Sequence, residues 1–323
     1  MQSQAFWDKM NLYEQKGIPF LFFIDFEMEN PKLFKLADIN PNNLLFDVNN
    51  RRNFDYPEQS NSELIFEKKP VSFENYKSVF TKSMEHLRYG NSYLLNLTFP
   101  TPITTNYKLK DFFYRSQAKY KIWLKDEFVV FSPEIFVKIA KAKIYSYPMK
   151  GTINASVPDS EQVLLNNKKE IAEHATIVDL IRNDLNRISS NVRVEKFRYI
   201  DRIKGHDKDI LQVSSEIVGD LTADYLNRLG EIMKTLLPAG SICGAPKKKT
   251  VEIILENETY SRGYYSGVMG IFDGENLDSG VMIRYIEQTE KGLVFKSGGG
   301  ITVNSKVEDE YQELIDKVYV PLV

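Results

Sequence analysis

Lys150 stands in the run Pro148-Met149-Lys150-Gly151-Thr152, directly after an apolar, strand-like stretch at 137–147. A flexible surface lysine needs no such brackets. A lysine that must offer a neutral amine to a substrate carbon gains from rigid placement and partial desolvation. The spacing predicts a tight turn carrying Lys150, although a lysine in a turn is more often a solvated charge. Acidic residues form a second set. Glu173 falls in Glu170-Ile171-Ala172-Glu173-His174, and Glu310 and Glu313 fall in a helix-like segment near the C-terminus. Positions i and i+3 of a helix share a face, so Glu310 and Glu313 can address one site. Carboxylates in ones and twos, completed by water, are the usual ligands of Mg²⁺. Acidic residues on helices are nonetheless usually solvated.

Two glycine-rich segments complete the inventory. Gly298-Gly299-Gly300 follows a strand-like run; its backbone N–H groups can bind a carboxylate, or the glycines can mark a bulge. No Gly-Lys-Ser/Thr accompanies it, so it is no Walker A loop. The segment Pro238-Ala239-Gly240-Ser241-Ile242-Cys243-Gly244-Ala245-Pro246-Lys247 precedes a helix and reads either as an anion-binding helix start or as a plain helix–helix turn.

The elements that must position these groups can be read from periodicity. Residues 20–26 look like a buried strand. Residues 72–88 read as a helix capped by Ser72, with Tyr76, Val79, Phe80 and Met84 on one face. Strands are expected at 92–99, 128–131, 137–147, 192–200, 266–272, 279–287 and 292–297. The glycine run interrupts the last, and 301–303 resumes it. Helices are expected at 160–188, 221–237, 249–258 and 307–319. The polar stretch 47–62 reads as a long loop. Short strands broken by long helices argue for an α+β architecture. The division expected is a short N-terminal segment, 1–71, whose strand joins a main domain, 72–323.

Bulk properties exclude several classes. Lys+Arg number 42 against 44 Asp+Glu, a net charge of -2, which gives no electrostatic footprint for nucleic acid or an acidic membrane. Cys243 is the single cysteine, so no intrachain disulfide or cysteine metal cluster can form. No signal peptide or membrane span is evident near the N-terminus. A soluble cytoplasmic protein is expected.

The motifs in their order resemble the chorismate-utilising enzymes, the family of anthranilate synthase and para-aminobenzoate synthase large subunits. The matching segments are Ser132-Pro133-Glu134, Pro148 to Thr152, Glu173-His174 with Val178 to Leu185, Pro238 to Lys247, Ser266 to Gly270, Ser279 to Arg284, Gly298 to Ile301 and Glu310 to Lys317. The resemblance covers roughly residue 72 to the C-terminus. It implies two large, mostly antiparallel sheets packed face to face, with helices outside and a cleft for the site. It also implies that Glu173 and Glu313 hold Mg²⁺, and that Arg284 and Lys317 meet substrate carboxylates. Thr152 and the backbone of Gly298, Gly299 and Gly300 join in substrate binding. Glu134, sixteen positions before Lys150, is implied as general acid, a hairpin bringing the two together.

Two positions speak to the branch. Relatives that activate water use a lysine that would fall at Leu94, and leucine cannot do this. Anthranilate synthases carry alanine where this chain has Lys150, and the para-aminobenzoate branch carries lysine. The resemblance therefore implies Mg-dependent amination of chorismate at C4 through a covalent Lys150 intermediate. The ammonia comes from a separate glutamine amidotransferase subunit or from solution, since Cys243 lacks the Gly-x-Cys-x-Gly elbow of a fused glutaminase. Alternatives are the anthranilate branch and a non-catalytic chorismate-fold binding protein. Two departures stand out. Leu211 occupies the position of a family histidine, with His206 nearby, and the short N-terminal region makes a tryptophan pocket doubtful.

Overall fold

The computed structural model describes residues 2–57, 63–203 and 209–322. Among them are two nine-stranded antiparallel sheets, with helices between the strands in sequence. The α+β class follows, and the architecture matches the expectation of two large sheets. Among the described residues no helix is long and apolar enough to cross a membrane.

The chain divides into two compact units that interleave along the sequence. One comprises Met1–Phe20, Ile135–Ser241 and Ile271–Ser279; the other comprises Leu21–Glu134, Ile242–Gly270 and Gly280–Val323. Neither begins at Ser72.

In the first unit the strands Met149–Asn154, Ile210–Leu221, Lys143–Ser146 and Ile135–Ala140 lie side by side in that order, and Ser189–Ile203 also pairs with Ile210–Leu221. The single strand expected at 137–147 is a hairpin. Ala140 pairs with Lys143, and Lys141 and Ala142 turn the chain at φ 51° and 57°. Two consecutive left-handed residues suit the twist of a two-residue hairpin. The helix expected at 160–188 is two helices, Ser160–Asn166 and Lys168–Leu185. The helix expected at 221–237 shrinks to Leu229–Leu236, because Leu221 still belongs to the long strand. An N-terminal helix, Gln2–Gln15, escaped the sequence reading because its residues are mostly polar. Its Glu14 and Asn11 side chains accept the backbone N–H groups of Leu229 and Gly230 at 2.6 Å each. They thereby satisfy donors that the start of the helix Leu229–Leu236 leaves without an intrahelical partner.

In the second unit the strands follow the order Gly244–Ala245, Leu94–Thr105, Gly292–Ile301, Tyr285–Thr289, Phe128–Ser132, Tyr120–Leu124, Leu44–Val48 and Arg51–Arg52. The helix Phe73–Tyr89 forms as expected. The Ser72 hydroxyl accepts the Asn75 N–H, and Gly90 closes the helix at φ 84°. Its face of Tyr76, Phe80, Met84 and Leu87 packs with Leu95, Leu97, Ile253 and Leu314. The glycine run does not break its strand: Gly292–Ile301 is continuous. The strand expected at 279–287 is two, Leu277–Val281 and Tyr285–Thr289, with Arg284 at φ 55° between them. The segment 238–247 is neither an open anion loop nor a simple turn. Gly244 and Ala245 pair with Leu95 and Leu94, and a Cβ on Gly244 would stand 1.7 Å from the Leu94 carbonyl oxygen.

Candidate active site

Lys150 sits on a β-bulge and not in a tight turn. Met149 pairs with Ser214 and Thr152 with Gln212, so three steps on one strand oppose two on the other. The extra residue falls at Lys150-Gly151, and Gly151 adopts φ 81°. A bulge re-aims a side chain while keeping it on a rigid sheet. Glycine suits this point for two reasons. The backbone is left-handed, and a Cβ would lie 3.1 Å from Glu170 Oε2 and 3.2 Å from a Leu164 methyl.

The lysine so aimed meets the helix Lys168–Leu185. Lys150 Nζ lies 2.8 Å from Glu173 Oε2, with side-chain exposures of 30% and 14%. The next residue along, His174, is fully buried, and its Nε2 lies 2.6 Å from Ser215 Oγ. Burial first, then the positive charges of Arg198 and Lys150, lower its pKa to about 4, so the ring is neutral at pH 7. Sequence reading met His174 only as the neighbour of Glu173 in a matching segment, and assigned no part to His174 or Ser215.

Leu211 is buried with Leu164 and Val213 in a small apolar cluster that Ile153 and Leu165 pack against. It is core in this chain. His206 lies outside the described residues. Thr152 pairs through its backbone, and its side chain lies outside the described ones.

In the second unit the site residues gather on the strand Gly292–Ile301 and the helix Val307–Asp316. Lys317 Nζ donates to the Gly298 carbonyl at 2.9 Å and pairs with Glu313 Oε1 at 2.6 Å. Gly299 faces the same group: a Cβ there would stand 3.4 Å from Glu313 Oε1 and 3.5 Å from Lys317 Nζ. Gly298 admits no side chain, since a Cβ would lie 2.5 Å from the Leu97 carbonyl oxygen. Glu310 stands on the same face, as its i, i+3 spacing predicts, with Oε2 3.7 Å from that Gly299 Cβ position. It is buried, and its Oε1 accepts the Ser305 hydroxyl at 2.6 Å, closing the turn before the helix.

The register shows what the glycine backbone offers. Gly298 pairs with Thr98, yet the Thr98 N–H donates to Glu258 Oε1 at 3.1 Å and the Gly298 carbonyl accepts from Lys317. The two are therefore a non-hydrogen-bonded pair of the antiparallel ladder. The N–H groups of Gly298 and Gly300 consequently point toward the strand's other edge, where pairing with Tyr285–Thr289 has ended at Lys296. Donors aimed at an edge beside a lysine suit a carboxylate. Arg284 stands at the same end of the unit, its guanidinium 5.0 Å over the Tyr319 ring.

Glu134 follows the strand Phe128–Ser132. Its N–H donates to Ser132 Oγ at 3.2 Å, and its carbonyl accepts the Val281 N–H at 3.0 Å, so the backbone at the acid is pinned on both sides. Leu94 is buried, and one of its methyls lies 3.1 Å from where a Gly300 Cβ would be. Behind the glycine strand lies a buried ion pair that sequence reading missed. Arg262 Nε and Nη2 donate to the two Glu258 oxygens at 2.8 and 2.6 Å, with exposures of 1% and 4%. The signal for it, an Arg four residues after a Glu, is too common to single out.

A sequence profile described as "chorismate binding enzyme" matches residues 35–323. A Haemophilus influenzae protein named "Uncharacterized PabA-like protein" is 50% identical over 319 residues, covering 99% of this chain and 97% of that one. "Anthranilate synthase component 1" of Aquifex aeolicus is 31% identical over 278 residues, 78% of this chain and 55% of that protein. Among solved structures, a putative 2,3-dihydroxybenzoate-specific isochorismate synthase of Bacillus anthracis superposes with a TM-score of 0.73 at 19% identity. The match covers 98% of this chain and 87% of that one, a likeness of fold.

Proposed function

We propose, from the premise that this chain belongs to the chorismate-binding enzyme family, that it is component I of an aminodeoxychorismate synthase. In this reading it aminates chorismate at C4, with ammonia delivered by a separate glutamine amidotransferase subunit. The observation that carries the reading is the bulge that holds Lys150 on the sheet, 2.8 Å from Glu173. A lysine fixed in this way suits a nucleophile better than a solvated charge. The name of the Haemophilus relative, "PabA-like", is in keeping with it.

Lys150, as the free amine, attacks C2 of chorismate. Both conjugated ring double bonds shift as the C4–O bond breaks; Glu134 protonates the departing hydroxyl, which leaves as water, and the nitrogen now on C2 loses a proton. Ammonia then bonds to C4, both double bonds return and the C2–Nζ bond breaks, the proton lost by the incoming nitrogen passing to Nζ. This gives 4-amino-4-deoxychorismate and regenerates the lysine. One displacement is thereby split into two lower steps. Lys317, Arg284 and the Gly298 and Gly300 N–H groups receive the substrate carboxylates, Arg284 with the bidentate geometry of its planar guanidinium.

The family resemblance assigns Glu173 and Glu313 to Mg²⁺, and each is a hard oxygen donor of the type this ion takes in ones and twos. These two residues would hold the ion, and bound Mg²⁺ would neutralise the ring carboxylate and draw electrons toward it.

The test is product analysis. Purified protein with chorismate, Mg²⁺ and ammonium is expected to yield 4-amino-4-deoxychorismate by mass spectrometry. Anthranilate would move the chain to the sister branch, and unconsumed chorismate would make it a binding protein. Glutamine is expected to replace ammonium only when the partner subunit is added; glutamine-driven turnover by this chain alone would overturn that partner.

A further inference from the structure

Ser215 joins the three elements that set the Lys150–Glu173 pair, and nothing in the proposed chemistry uses it. Its backbone N–H donates to the Pro148 carbonyl at 3.0 Å, two residues before Lys150. Its hydroxyl oxygen accepts the Arg198 backbone N–H at 3.0 Å and meets His174 Nε2 at 2.6 Å, one residue after Glu173. Arg198 is itself at a register break: the pairing of Ser189–Ile203 with Ile210–Leu221 shifts between Lys196 and Tyr199, and Arg198 has φ 50°. Its guanidinium Nη2 donates to the carbonyls of Leu165 at 2.9 Å and Leu164 at 3.3 Å, reaching the helix Ser160–Asn166. Both Ser215 and His174 are fully buried.

Ser215 Oγ accepts from Arg198 with one lone pair and keeps its proton and a second lone pair, so it can serve His174 Nε2 in either tautomer of the ring. The other ring nitrogen, Nδ1, is buried with no hydrogen-bond partner among the described residues. Leaving one buried ring nitrogen unpartnered is unfavourable, so the ring is held through Nε2. That contact is therefore what the histidine is placed for. It locks the helix turn bearing Glu173 to the strand whose neighbour bears Lys150.

We propose that Ser215 is a positioning residue: its hydroxyl ties the Arg198 bulge and the His174 helix turn to the residue whose backbone N–H holds the bulged lysine strand, and so sets the Lys150–Glu173 separation. A residue that only filled space would be replaceable by alanine with no change at Lys150. An alanine here leaves His174 and the Arg198 N–H without their shared partner, whereas threonine keeps the oxygen.

The test compares Ser215→Ala, Ser215→Thr and wild type by amine acetylation and peptide mass spectrometry, with exposed Lys248 as internal reference. Loosening a half-exposed ion pair is expected to raise Lys150 labelling relative to Lys248 by roughly threefold to fivefold in Ser215→Ala. Ser215→Thr is expected to match wild type. Should Ser215→Ala not fold, Ser215→Cys, a weak acceptor, is read in its place. Unchanged Lys150 labelling in the folded variant, or labelling in Ser215→Thr as high as in Ser215→Ala, would overturn the proposal. A second arm rests on the chorismate amination proposed above. There Ser215→Ala is expected to lower kcat roughly tenfold with KM unchanged, through misplaced reacting atoms, and Ser215→Thr to restore it. If wild type does not turn over chorismate, the functional reading fails while the labelling arm still decides the role of Ser215.

Discussion

Replacing Arg262 with methionine strands a buried carboxylate, and the structure sets the size of the effect. Glu258 is 4% exposed and shares both oxygens with the Arg262 guanidinium at 2.8 and 2.6 Å. Arg262 Nη2 and Nη1 also donate to the Asn96 carbonyl at 2.8 Å and the Ile242 carbonyl at 3.2 Å. Burial opposes the arginine's charge, but the adjacent Glu258 outweighs it and leaves the arginine pKa above its ordinary value. Removing one partner of such a pair costs about 3–5 kcal/mol, because the other charge stays buried without its counterion. Glu258 keeps two donors, the Thr98 N–H and hydroxyl, which places Arg262→Met at the lower end, about 3 kcal/mol. For a unit of about 190 residues that corresponds to a fall in Tm of roughly 6–12 °C. The assay is thermal unfolding by circular dichroism at pH 7 for wild type, Arg262→Met, Glu258→Gln and the double variant. Glutamine keeps an acceptor for Thr98 and removes the stranded charge, so the double variant is expected to melt above Arg262→Met. A Tm within 2 °C of wild type for Arg262→Met, or a double variant less stable than it, would refute the reasoning. The consequence reaches the site because Thr98, held by Glu258, is paired with Gly298.

One buried and one half-buried group predict opposite pH trends. His174 has a folded pKa of about 4 against an ordinary 6.5, so its contribution is present above pH 6.5 and is lost as pH falls through about 4. The stability of wild type relative to His174→Gln, from melts at pH 7 and pH 4, is expected to decrease by at most about 3 kcal/mol, and a constant difference would contradict it. Glu14 has a folded pKa of about 7 against 4.5, raised by burial and opposed by its bond from the Leu229 N–H. Its contribution is present below pH 4.5 and is lost as pH rises through 7, so Glu14→Gln is expected to gain on wild type between pH 5 and pH 8; no gain would show that the carboxylate is not strained there.

Much of this was written in the sequence where a local rule suffices. The helix Phe73–Tyr89 follows from a serine cap, an apolar stripe and a terminal glycine, all within one segment. The residues of the site were named from motif order, and the structure brings Lys150 to Glu173 and Lys317 to Glu313 and Gly298. What escaped depends on partners far along the chain. A bulge at Lys150 is defined by register against Ser214 and Gln212, so the pentapeptide alone reads as a turn. The glycine run reads as a break because glycine is a poor strand former, yet close approach to the Leu97 carbonyl demands it inside a strand. The mostly polar helix Gln2–Gln15 buries only a short apolar face, Phe6, Trp7 and Met10, and its role in capping Leu229–Leu236 is visible only once both are folded. His174 and Ser215 are ordinary residues until a 2.6 Å contact across 41 positions joins them.

The central claim is that Lys150 is the nucleophile. Intact-protein mass spectrometry after incubation with chorismate and Mg²⁺, without any ammonia source, tests it directly. Wild type is expected to gain the mass of chorismate less one water, on the peptide containing Lys150, and to lose it again when ammonium is added. Lys150→Ala is expected to gain nothing. An adduct of equal abundance in Lys150→Ala, or its location on another residue in wild type, would contradict the account.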